Sequence, residues 1–162
     1  MIIVTGGAGF IGSNIVKKLN YESINDIIIV DNLHSSEIKS TNIDNLKFEE
    51  YYDKNDFLDI LPKISNIELI IHQGACSSTT EKNINYLYNN NYFYSKKILD
   101  FCSKKNIPLI YASSAAVYGD GKNGFEENEY CENPLNLYAL SKLMFDNYVR
   151  LFLSNSLNHS SV

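Results

Sequence analysis

The chain has 162 residues, 44% of them hydrophobic and 20% charged, with a formal net charge of −5, which suits one globular domain with a real core and excludes a disordered chain. The negative charge argues against a general nucleic-acid binder, which presents a basic face, and no apolar run approaches the roughly 18 residues that span a bilayer. Without a charged segment leading into an apolar one at the N-terminus the expected location is the cytoplasm, where Cys76, Cys102 and Cys131, odd in number and lacking metal-ligand spacing, read as reduced thiols.

Ile2, Ile3 and Val4 form a short buried strand, followed by a glycine turn in which Gly6, Gly9 and Gly12 have G-x-x-G-x-x-G spacing. Such a turn brings the backbone close to a pyrophosphate and seats that group on a helix N-terminus. Ile11, Ile15, Val16 and Leu19 give the helix that follows an apolar stripe. A second apolar run, Ile27 to Val30, ends at Asp31, about 20 residues beyond the glycines, where a carboxylate holds a ribose hydroxyl.

A third strand is read over Leu46 to Phe48, a short helix over Lys54 to Leu61 closed by Pro62, and a fourth strand over Leu69 to His72. The stretch Ile84 to Lys104 carries Leu87, Tyr94, Ile98 and Phe101 at helical spacing, and its Asn89-Asn90-Asn91 triplet reads as a compositional bias. Pro108 opens a fifth strand that runs to Ala112. Gly119 to Pro134 is a surface loop, and a last helix over Leu137 to Leu153 turns Leu140, Leu143, Met144 and Leu151 toward the sheet. Ser154 to Val162 is a polar tail whose last residue could begin another strand.

Strands alternating with helices predict an α/β fold, a Rossmann-like doubly wound parallel sheet with about five strands. Residues 1–162 then form one dinucleotide-binding domain, with the sixth strand and a separate substrate domain missing.

Two further stretches carry chemistry. Small residues from Ala112 to Ala116 follow the fifth strand, and the carboxyl ends of parallel strands are where open α/β sheets bind ligands. Tyr138 and Lys142, four apart, share one face of a helix. A tyrosine with an ordinary pKa near 10 is a poor base at neutral pH, and a neighbouring ammonium favours its ionised form. Ser114 on the same substrate oxygen would orient the hydroxyl and steady developing charge. Together these groups suit proton removal from an alcohol as hydride leaves for a nicotinamide.

On Thr5 to Gly12, Ser114, Tyr138 and Lys142, the chain resembles the extended short-chain dehydrogenase/reductase family, with its T-G-x-x-G-x-x-G, strand-five serine and Y-x-x-x-K. Within it, Met1 to Val16, Asp31 to Leu33, His72 to Thr80, Asn90 to Tyr92, Tyr111 to Ala116 and Pro134 to Asn136 resemble the branch of sugar-nucleotide epimerases that act on ADP-heptose. The Gly74 to Thr80 run is the most specific of these.

The resemblance implies inversion at C6 of an ADP-bound heptose, a step feeding lipopolysaccharide core synthesis, with tightly held NADP reduced and reoxidised in each cycle. Tyr138 becomes the acid/base. Cofactor contacts fall on Phe10, Ile11, Asp31, Asn32, Lys39, Lys54, Gln73, Gly74, Ala75, Cys76, Ser77, Asn90 and Lys142. The family often has glutamate at the position of Gln73, where a backbone contact would survive. Asp31 alone points to NAD, since a carboxylate repels a 2′-phosphate; the resemblance points to NADP, with Lys39 and Lys54 supplying positive charge. NADP is the expectation. Dehydratases of the family carry Thr-Asp-Glu where Ser114-Ala115-Ala116 stands, which argues against them, whereas C4 epimerases share the triad and stand as an alternative that the Gly74 to Thr80 run disfavours. Relatives are homo-oligomers that continue past residue 162 into a sugar-binding region, so this chain is expected to be inactive alone, and a non-catalytic NAD(P)-binding remnant is the alternative.

Overall fold

Ile2–Thr5 forms β1 and Ile27–Asp31 forms β2, runs of β-branched residues whose side chains suit a strand covered on both faces. The computed structural model describes residues 1–159, with side chains as far as Ser154. Around these two strands stand α1 (Phe10–Tyr21), α2 (Glu37–Ile43), β3 (Glu50–Asp53), α3 (Lys54–Ile60) and β4 (Leu69–His72). The chain continues through α4 (Ile84–Leu87), a π-helical turn (Tyr88–Phe93), α5 (Tyr94–Lys105), β5 (Leu109–Tyr111) and α6 (Leu137–His159).

All five strands are parallel, in the order β3-β2-β1-β4-β5. This is the Rossmann-like arrangement expected, and it places the reversal of strand order between β1 and β4, the position at which open α/β sheets bind ligands beyond the carboxyl ends of their strands. Thr5 pairs with His72 in that register. Ile3, Val4, Ile27, Ile29 and Ile70 are completely buried.

Two compact units divide the chain: Met1–Ala75 with Lys97–Ala112, and Cys76–Lys96 with the residues from Ser113 onward. The first contains the whole sheet. In the second, α6 packs against α4, the π-helical turn and a 3-10 helix over Ala115–Tyr118, burying Leu87, Val117, Ala139 and Phe145.

Several expectations need correction. The third strand is Glu50–Asp53, four residues later than Leu46 to Phe48. Asp31 pairs with Asp53, Tyr51 donates its hydroxyl to the Asp31 carbonyl at 2.8 Å, and Asp53 caps α3 through Asn55 N. Leu46 and Phe48 instead pack on the core cluster from the connecting segment, so burial alone does not mark a strand.

On α1, Val16 is buried and Ile15 and Leu19 pack on the core, but Ile11 stands 60% exposed in the first turn. On α6 the expected stripe is turned: Leu140 and Leu151 are exposed, and the buried positions are Ala139, Ser141, Lys142, Phe145 and Asp146. That helix also continues to His159, through most of the segment read as a tail; Val162, read as the start of a further strand, lies outside the described residues. Ile84 to Lys104 is helical throughout, with its middle turn widened, and it buries Asn91 and Ser95 along with Leu87 and Ile98.

Candidate cofactor site and catalytic constellation

The first unit supplies the glycine turn. Gly6 has φ +68°, a left-handed conformation that disfavours a side chain, and a Cβ on it would stand 2.7 Å from Gly74 N. A Cβ on Gly12 would lie 2.1 Å from the Gly6 carbonyl oxygen. These close approaches require glycine. Gly9 is the N-cap of α1 and no side chain caps that helix, while Phe10 and Ile11 stand in its first turn at 83% and 60% exposure. Uncapped backbone amides at an open helix N-terminus are what a pyrophosphate needs, so the residues present fit a dinucleotide.

Around the turn the polar groups are tightly matched. Buried Asp31 accepts from Ala8 N at 3.0 Å and Asn32 N at 2.7 Å, and its Oδ1 pairs with Lys39 Nζ at 2.6 Å. Asn42 donates to the Ala8 carbonyl. Thr5 Oγ1 lies 2.5 Å from His72 Nδ1 and accepts from Gly74 N at 3.2 Å, tying the ends of β1 and β4 together where Gln73, Gly74 and Ala75 begin. Lys54 opens α3 beyond β3, half-buried. The structure thus gathers Asp31, Asn32 and Lys39 into one cluster.

In the second unit, Ser114 caps the 3-10 helix by accepting from Ala116 N at 3.2 Å, which leaves its hydroxyl proton to donate. Tyr138 stands half-buried in the first turn of α6, and Lys142 is 6% exposed one turn later. Burial pushes the Lys142 ammonium below its ordinary value, and the Asp146 carboxylate opposes that shift. Asn90 sits on the π-helical turn and donates to Asn91 Oδ1 at 3.0 Å; Cys76 is half-buried and Ser77 exposed.

Sequence reasoning missed Asn91. Its side chain accepts from Cys76 N at 2.8 Å and donates to the Cys76 carbonyl and to Ser141 Oγ, each at 3.0 Å. Ser141 in turn donates to the Tyr138 carbonyl at 2.7 Å. One buried amide therefore links the loop after β4 to the helix bearing Tyr138 and Lys142. The available signal was a polar residue at a helix position otherwise due to be apolar, four residues after Leu87.

Residues 2–156 match the NAD dependent epimerase/dehydratase family. The chain belongs to that family. An ADP-L-glycero-D-manno-heptose-6-epimerase from Brachyspira hyodysenteriae is 55% identical across the full chain, which covers 52% of that relative. The corresponding enzyme of Helicobacter pylori has a crystal structure that superposes with a TM-score of 0.82 at 31% identity, over 93% of this chain and 50% of the other. The UDP-glucuronic acid 4-epimerase of Bacillus cereus, in complex with NAD, gives a TM-score of 0.79 at 26% identity, over 95% of this chain and 52% of that one. The chain spans about half the length of these epimerase/dehydratase relatives. Among the described residues, no helix is long and apolar enough to cross a membrane, and no group of His, Cys, Asp and Glu is arranged to hold a metal ion.

Proposed function

We propose that these residues form the cofactor-binding and proton-transfer part of an epimerase that inverts C6 of the heptose in ADP-D-glycero-D-manno-heptose to give the L-glycero form, with NADP as the cofactor. The observation carrying the substrate assignment is the 55% identity across the whole chain to a heptose epimerase.

The bound nicotinamide supplies the acceptor and later the donor of a hydride. Gly6, Gly9 and Gly12, with the amides of Phe10 and Ile11, bind the pyrophosphate. Asp31 and Asn32 take the adenosine ribose. Lys39 already neutralises Asp31, which removes much of the repulsion that a lone carboxylate would exert on a 2′-phosphate, and Lys54 adds a second positive charge; this supports NADP. Gln73 to Ser77 and Asn90 complete the contacts.

Tyr138 takes the proton from the C6 hydroxyl as the carbon is oxidised and returns it when the ketone is reduced from the opposite face. Lys142 stabilises the phenolate that Tyr138 must become, and Ser114 donates to the same substrate oxygen.

Two measurements test the assignment. The protein carrying these residues, incubated with ADP-D-glycero-D-manno-heptose and resolved by anion-exchange chromatography, should give a mixture of the two C6 epimers, with the rate reduced about 10²–10⁴-fold by Tyr138→Phe. Exchange of UDP-glucose with UDP-galactose in place of that reaction would overturn the heptose reading. Fluorescence titration should show tighter binding of NADPH than of NADH, and a clear preference for NADH would sink the choice of NADP.

A further inference from the structure

We propose that Asp146 is a positioning residue for the Lys142 ammonium: Ser113 holds its carboxylate in place, one helical turn beyond the lysine. The inference rests on the reading of Lys142 as the partner of Tyr138. Ser113, immediately before Ser114, donates its hydroxyl to Asp146 Oδ2 at 2.5 Å. Asp146 and Lys142 are both 6% exposed, and four residues apart on α6 they lie on the same face.

A carboxylate at that depth needs both hydrogen bonds and a matching charge. Among the charged and titratable groups acting on it are Lys142 and Arg150 from α6 and the phenol of Tyr118 from the adjoining 3-10 helix. Arg150 is already engaged by Glu132, which it meets through both terminal nitrogens, and lies near Glu129. Lys142, buried to the same depth on the same face of α6, is a cation that Asp146 can balance.

The consequence is chemical. Burial alone drives Lys142 toward its neutral form, and Asp146 pulls it back. A neutral lysine could not stabilise the Tyr138 phenolate, so the carboxylate acts on the reaction through Lys142 without touching substrate.

The test is a pH titration of Lys142 by NMR of the 15N-lysine-labelled chain, with the signal assigned through Lys142→Arg. Asp146→Asn keeps an acceptor for Ser113 and removes only the charge. It should lower the Lys142 midpoint by about one pH unit or more, and Asp146→Glu should restore it. An unchanged midpoint in folded Asp146→Asn overturns the proposal, because a purely structural role predicts that result. If Asp146→Asn does not fold, the unaltered chain decides: the Lys142 signal must respond as Asp146 takes up its proton at low pH, and a flat signal overturns the proposal. The readout is a lysine titration and not turnover, so it fails or succeeds separately from the epimerase assignment.

Discussion

In the unit built from Met1–Ala75 and Lys97–Ala112, the interior is a stack of Ile and Val from β1, β2 and β4 with Phe57, Leu61 and Ile98, and of its buried polar groups Thr5, Asp31 and His72 lie at the carboxyl ends of the strands and Ser13 on α1. In the other unit the buried apolar residues Leu87, Val117, Cys131, Ala139 and Phe145 are matched, among the described residues, by Asn91, Ser95, Ser141, Lys142 and Asp146. The first interior gains stability from area removed from water. The second spends part of its interior on a hydrogen-bonded network, which fixes side-chain positions only while every member is satisfied. Binding can rest on backbone geometry held by an apolar core, whereas proton transfer needs polar side chains inside the protein.

The comparison can be broken most directly by truncation in each unit. Phe57→Ala, at a completely buried position in the first unit, should cost about 3–5 kcal/mol in urea unfolding. Asn91→Ala, which strips partners from the Cys76 backbone and Ser141, should cost about 1–3 kcal/mol. A cost for Asn91→Ala equal to that of Phe57→Ala would mean that the polar network is the main stabiliser, contrary to the contrast drawn above.

A smaller effect sharpens the same contrast at alkaline pH. Burial pushes the Cys102 thiol of the first unit up from 9.0 to about 11. The folded chain then keeps a proton that the unfolded chain has released, and stability falls as pH rises through that window. Lys142 acts in the opposite sense. Its folded value lies below the ordinary 10.5, so the unfolded chain binds more protons between the two, and stability rises with pH there. Cys102→Ala should remove the falling contribution and Lys142→Met the rising one, read from unfolding free energies between about pH 8 and 11.

Much of the first unit was legible because its signals are local. Apolar runs ending at Thr5, Asp31 and His72 marked three strands, and glycine spacing marked the turn. The third strand escaped because Glu50–Asp53 is polar and is held by pairing with β2, a contact distant in sequence. In the second unit the helical spacing from Ile84 and the start of the last helix at Leu137 were legible. The buried face of α6 does not follow its leucines, because it carries Ala139, Ser141, Lys142, Phe145 and Asp146. Asn91 looked like composition because its partners, Cys76 and Ser141, lie 15 and 50 residues away.

The π-helical turn over Tyr88–Phe93 acts on the helix as one inserted residue would. Each residue turns an α-helix by about 100°, so the phase of everything beyond the turn depends on that extra width. Loss of a single residue from the start of the turn would leave Asn91, Cys76 and Ser141 in the sequence and still turn Asn91 away from both partners. The network is thus written in a reading frame of the helix, and an indel of one residue, neutral in an ordinary surface helix, would be a frameshift here.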